Sequence, residues 1–139
     1  MKTLKLTTLL LAVALVFGST SCKYEDGPGL SLRTKKARVA GDWVIEKTID
    51  EDGDVDTDWD GFDINFDKDG TGKSSYTYTF GGTTTTSTNT FKWEFTNSKK
   101  NIQITDEDGD VTESTILRLT NDEMWIKDKD GYQTNFKAK

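Results

Sequence analysis

The sequence predicts an all-β fold, an antiparallel up-and-down β-barrel of about eight strands, and three observations predict it. Apolar and polar residues alternate with period two from Ala40 to the end of the chain. Turn residues recur roughly every ten to fifteen positions. The connections between the alternating runs are short enough to join only antiparallel neighbours. Eight strands that close on themselves remove both exposed edges and leave an interior just wide enough for side chains or one small ligand. A β-sandwich is the alternative, although its Greek-key crossovers need longer connections than most found here.

The chain opens with a segment of a different kind. Lys2 and Lys5 are followed by a nearly unbroken apolar run from Leu6 to Phe17 and then by small residues, the three-part layout of a secretory signal over residues 1–21. The run is too short to cross a bilayer, which takes about 20 apolar residues as a helix. Ser19 and Ser21 before Cys22 resemble the lipobox of bacterial lipoproteins, in which the signal is cut just before a cysteine whose sulfur is then diacylated. That resemblance implies lipidation of Cys22 and a lipid anchor in the bacterial cell envelope, at the outer membrane. Lys23, Glu25 and Asp26 resemble the charged cluster that sends some such proteins to the cell surface. Ser19 stands where aliphatic residues are usual and also suits an ordinary signal peptidase, so a secreted protein with a free thiol at Cys22 is the other reading. Residues 22–31 hold two glycines and the only proline, and read as a tether.

The full chain has a formal net charge of −6, and loss of the leader with Lys2 and Lys5 makes it −8. Nucleic acid and anionic lipid need a clustered basic stripe. The densest basic run, Arg33 to Arg38, lies beside the tether and reads as a solvated face, so no nucleic-acid partner is expected. Cys22 is the only cysteine and there is no histidine, so the domain 32–139 has no disulfides and lacks the usual nucleophile and base sets. Neither enzymatic activity nor a cofactor is expected. Stability must come from a hydrophobic core, for which about 100 residues suffice.

Taken in order, Leu32 to Val39 has the spacing for one or two helical turns, expected across one end of the barrel. Trp43, Ile45 and Ile49 share a face in the first strand; Phe62, Ile64 and Phe66 mark the second. Tyr76, Tyr78 and Phe80 mark the third, and Phe91, Trp93 and Phe95 the fourth, with Gly81 to Asn89 between them as a polar, threonine-rich loop. Ile102 and Ile104, Leu117 and Leu119, Met124 and Ile126, and Tyr132 and Phe136 mark the fifth to the eighth. Asp-Gly, Gly-Gly and Asn-containing pairs separate these runs, because Gly and Asn tolerate positive φ and Asp bonds its own backbone.

Gly41-Asp42-Trp43 opening the first strand, Phe66-Asp67-Lys68-Asp69-Gly70 closing the second, Trp93 in the fourth, and Leu119-Thr120 leading into Met124-Trp125-Ile126 together resemble the small lipocalin-like domain of bacterial cell-envelope lipoproteins, over residues 32–139. The resemblance implies a barrel suited to a small apolar molecule. It also implies that Trp43 closes the barrel floor beneath a cation, for which Lys137, Lys139 and Arg38 are the candidates.

Two constellations bear on a site. Asp56, Asp58 and Asp60 before Gly61, with Asp67 beyond, match the spacing of a calcium loop. The flanks alternate as strands, however, and an extended Phe62 to Asp67 carries Asp67 about 20 Å away at about 3.3 Å per residue, so no metal is favoured. The aromatic face formed by Trp43, Phe62, Phe66, Tyr76, Tyr78, Phe80, Phe91, Trp93 and Tyr132 either fills the barrel or lines a pocket for a small apolar ligand. Three function classes stay open: a small-ligand-binding lipoprotein, a membrane-tethered structural or protein-interaction accessory with unknown partners, and a calcium-dependent adhesion or glycan-handling module.

Overall fold

A computed structural model describes residues 32–139; the leader, Cys22 and the tether lie outside the described residues. The alternating runs become strands β1 (Gly41–Ile49), β2 (Val55–Asp56), β3 (Phe62–Phe66), β4 (Thr71–Phe80), β5 (Thr83–Thr96), β6 (Asn101–Asp106), β7 (Val111–Leu119), β8 (Glu123–Asp128) and β9 (Gln133–Ala138). They hydrogen-bond in the order β2-β1-β3-β4-β5-β6-β7-β8-β9, and β9 returns to pair with β1. Every pairing is antiparallel. Eight strands therefore close an up-and-down barrel. The short β2 is additional and covers Thr48 and Ile49, where β1 outruns β3.

One end of the barrel is plugged. Helix α1 (Lys35–Val39) begins where Thr34 accepts the Ala37 N–H at 3.1 Å, a side-chain N-cap. It ends by burying Val39 completely. The Val39 carbonyl, orphaned at the helix end, accepts the Trp43 indole N–H at 2.8 Å. Lys35 Nζ donates to the Lys99 carbonyl and Arg38 Nη1 to the Leu119 carbonyl, so α1 is tied to the neighbouring β5–β6 and β7–β8 connections of the rim. Behind it Trp43, Phe66, Trp93, Ile102, Leu119 and Met124 form a packed core. Phe66 meets Phe91 and Trp93 edge to face at 5.2 and 5.7 Å, a preferred aromatic geometry. The Trp93 indole N–H donates at 3.0 Å to the carbonyls of both Asp67 and Thr71, which fixes the β3–β4 turn.

Several local expectations are corrected. A bulge between Ile45 and Lys47 shifts the phase of β1, so Ile49 pairs with Gln133 on the face of Lys47 and Asn135, away from Trp43. A second bulge between Ile116 and Arg118 makes Ile116 and Leu119 the inward pair of β7, with Leu117 taking up the extra residue. Residues 81–89 are not a loop. Gly81 and Gly82, at φ 59° and 81°, make a two-residue turn, and the threonines that follow belong to β5. Tyr132 sits in the β8–β9 turn and is 49% exposed. Of the cations expected over Trp43, Lys139 pairs with Asp63. Among the described residues, Lys36 lies above the Trp93 ring and Arg118 above the Trp125 ring.

Replacing Trp43 by alanine is expected to cost about 3–5 kcal/mol, out of the roughly 5–15 kcal/mol that holds a domain of this size together. Trp43→Phe, which loses mainly the bond to Val39, should cost distinctly less. Chemical denaturation of both variants checks this, and a Trp43→Ala midpoint equal to the wild type would refute the plugged end.

Candidate functional site

The opposite end of the barrel is built from three copies of one turn. Asp50-Glu51-Asp52-Gly53-Asp54, Asp106-Glu107-Asp108-Gly109-Asp110 and Asp128-Lys129-Asp130-Gly131-Tyr132 join β1 to β2, β6 to β7 and β8 to β9. In each, the first aspartate accepts two backbone N–H groups two and four residues on: Asp50 at 3.0 and 2.8 Å, Asp106 at 3.0 and 2.9 Å, Asp128 at 2.9 and 2.9 Å. The glycine takes φ of 90° to 98°, where a Cβ would be strained. The repeated acid-glycine pattern is thus explained locally: Asp nucleates the turn and Gly completes it.

Between the β6–β7 turn, β3 and the β4–β5 hairpin lies a cleft of about 460 Å3. Phe62, Ile64, Phe91 and Ile104 form its apolar wall, Ser74 and Asn89 approach from the hairpin, and Asp106, Glu107 and Asp108 form its rim. Glu107 is anchored by the Thr90 hydroxyl and backbone N–H. Those bonds, the hydroxyl first, hold its carboxyl below the ordinary value of 4.5.

The hairpin runs well past the barrel. β6 starts pairing with β5 only at Phe91–Asp106. The β3 ladder on the other side stops at Phe62–Tyr76, with one further bond from the Thr77 N–H to the Gly61 carbonyl at 2.8 Å. Gly61 is required there, because a Cβ would meet the Thr77 oxygen at 2.2 Å. Period two carries the inward face of Ser74 outward through Tyr76, Tyr78 and Phe80, which are 48%, 47% and 84% exposed. The two tyrosine rings stack at 5.9 Å and 24°. On the other face hydroxyl pairs Thr77–Thr86 and Thr79–Thr84, each 2.9 Å, knit the strands together.

The aromatic residues singled out in the sequence therefore separate into three groups. Trp43, Phe66 and Trp93 are packed in the plugged half. Phe62 and Phe91 come together at the cleft, and Tyr76, Tyr78 and Phe80 stand on the ribbon above it. Tyr132 belongs to a neighbouring turn. Ile64 and Ile104 complete the cleft wall without having been singled out; the available signal was their inward phase combined with nearness to an acidic turn, since Ile104 lies two residues before Asp106. Trp59 was also missed, and meets Phe62 edge to face at 6.1 Å. Asp56 accepts the Asp58 N–H at 2.9 Å within its own turn. Among the described residues no group of three or more metal-ligating side chains comes together, at Asp56, Asp58 and Asp60 or elsewhere.

The family model of the lipocalin-like domain matches residues 39–126. A lipocalin-like protein from Bacteroides uniformis ATCC 8492 is similar in structure, with a TM-score of 0.62 at 15% identity, over 73% of this chain and 99% of that one. An uncharacterized protein from Bacteroides eggerthii DSM 20697 gives a TM-score of 0.59 at 15% identity, again over 73% and 99%. At such identity the likeness concerns the fold alone. No curated protein matches the chain.

Two further carboxyls share the depression seen at Glu107. The Thr71 hydroxyl, chiefly, holds Asp69 below 3.8, and the Thr96 hydroxyl, followed by the Asn101 amide, holds Glu113 below 4.5. Groups with a lowered pKa in the folded state stabilise it fully above their ordinary values, and that contribution is lost as pH falls through the folded-state values. The thermal midpoint should therefore drop as pH is taken from about 5 to about 3, and Glu113→Gln should shallow that slope. Equal slopes for the two proteins would show that the Glu113 bonds do not couple to folding.

Proposed function

This chain belongs to the lipocalin-like domain family, and from that premise we propose that it is a binding barrel for a small apolar or amphipathic molecule, held at the bacterial outer membrane by a lipid on Cys22. One observation carries the binding half: α1 and the buried core close the barrel interior at one end, and an apolar-walled cleft of about 460 Å3 opens from it at the other. That volume lies within the range of about 300–1,000 Å3 usual for small-molecule sites. Fold by itself does not decide function; the asymmetry between the two ends is what favours a ligand over a wholly structural barrel. The anchoring half rests on the leader and on the position of Cys22 immediately after it. Two acyl chains hold a protein at a bilayer where one does so only marginally. Residues 22–31, at about 3.3–3.6 Å each when extended, let the barrel stand up to roughly 35 Å from that surface.

Nile red, a neutral polarity-sensitive dye, should bind the protein with one-to-one stoichiometry. Ile104→Trp, which fills the cleft, should weaken binding at least tenfold, whereas Val111→Trp at an exposed position should leave it unchanged. A folded Ile104→Trp protein that binds as the wild type does would refute the cleft as the site.

For the anchor, cells fed a tagged fatty acid should label the wild-type protein and spare Cys22→Ser. Label retained on the serine variant would remove the lipid from this reading.

A further inference from the structure

We propose that the occupant of the open end is a cationic amphiphile, a small molecule whose apolar body lies in the cleft and against the Tyr76–Tyr78–Phe80 face and whose ammonium or guanidinium head is held at the acidic rim. This rests on the cleft being the binding site and adds the chemical class of its ligand. Three large rings stand in a row on one face of a ribbon, two of them stacked on each other, and that face continues directly from Ser74 and Asn89 in the cleft. Aromatic side chains exposed together in this way mark an interaction surface.

Charge complementarity selects the occupant. The turn segments at this end of the barrel hold seven acidic residues in 50–61, four in 106–110 and two in 128–132, against the single basic Lys129, with Lys73 and Lys92 beside Asp106 and Glu107 in the adjoining depression. The ion pairs Arg118–Glu123 and Lys139–Asp63 lie elsewhere. Asp106, Glu107 and Asp108 border the cleft itself, and the low-dielectric wall of Phe62, Ile64, Phe91 and Ile104 behind them concentrates their field. A carboxylate or phosphate head would be repelled there, and a neutral one would gain nothing from the rim. A cationic head gains from the carboxylates, while its apolar body gains from burial in the cleft and against the Tyr76–Tyr78–Phe80 face. The cleft volume fits a small molecule, with the ribbon extending the apolar contact beyond it.

The test compares octylammonium, octanol and octanoate, which share one tail, as displacers of Nile red from the chain without its leader and carrying Cys22→Ser; residues 32–139 contain the whole closed barrel and its core. At low salt octylammonium should bind at least tenfold more tightly than octanol, and octanoate should be the weakest. The advantage should shrink as salt rises and the Debye length shortens. Glu107→Gln with Asp108→Asn should cut octylammonium affinity severalfold and leave octanol unchanged, while Asp122→Asn at the plugged end changes neither. Tyr76→Ala with Tyr78→Ala should weaken octylammonium and octanol by the same factor, since both lose the same apolar contact. Equal affinities for the three displacers, or no displacement while Nile red still binds, would overturn the charge assignment alone. Failure of Nile red itself to bind would overturn the reading beneath it. A lysine-rich peptide that binds the Ile104→Trp variant as tightly as the wild type would replace the small molecule by a peptide docked on the ribbon.

Discussion

Everything in this barrel depends on a seam closed by Trp43. In β1 this residue faces Ile64 of β3 on one side and Ala138 of β9 on the other, so it sits where the first and last strands of the barrel meet. Its indole N–H satisfies the carbonyl at the end of α1, which converts a marginal five-residue helix into a fixed plug. No disulfide is available to do this work, since the single cysteine precedes the domain. Opening the seam would expose β1 and β9 as edges and uncover the core together, so strand pairing, core packing and helix docking form one cooperative unit.

The seam also explains the bulge in β1. A strand that pairs with β3 over its first four residues and with β9 along its length must bend, and the extra residue between Ile45 and Lys47 supplies the bend. Its consequence is that Ile49 faces outward, with β2 added to cover the exposed end of β1. The bulge in β7 acts similarly, and it places Arg118 across from Trp125 on the outer surface, where the guanidinium lies 5.1 Å from the ring centroid and also pairs with Glu123.

The strands, their order and their turns were legible because one-sided burial writes period two into a sequence and turns demand Gly, Asn or Asp. The bulges were not, because a phase slip leaves apolar residues in place and changes only which face they occupy: Ile116 replaced Leu117 for this reason. The outer half of the β4–β5 hairpin escaped for a different reason. Beyond the barrel neither face of a strand is buried, so β5 shows no alternation from Thr83 to Thr90, and a threonine run there looks like a loop. Gly81-Gly82 with Thr79-Phe80 before it and threonines after it was the available signal, since strand-forming residues on both sides of a two-glycine turn make a hairpin. At the site, the aromatic list was readable as a set but not as an arrangement, since rings of the same inward phase on β3, β4 and β5 end in the core, the cleft or solvent according to height alone.

A ribbon that leaves the barrel raises a problem that the closed part does not have, because its outer edges are unpaired. From Thr83 to Thr90 β5 has no neighbour on the β6 side, which is a template for association with other chains. The sequence answers this at three points. Glu107 takes the Thr90 N–H where a new strand would begin to pair. Threonine hydroxyls, not apolar side chains, cover one face. The acidic turns beside the ribbon make two such molecules repel each other. These devices act on the edges and on the threonine face, and they leave the row of Tyr76, Tyr78 and Phe80 uncovered. If solubility were the only demand on the ribbon, those three positions are where threonine would continue; rings are retained on the one face that looks back to the cleft, so the pressure that keeps them must come from what that face meets.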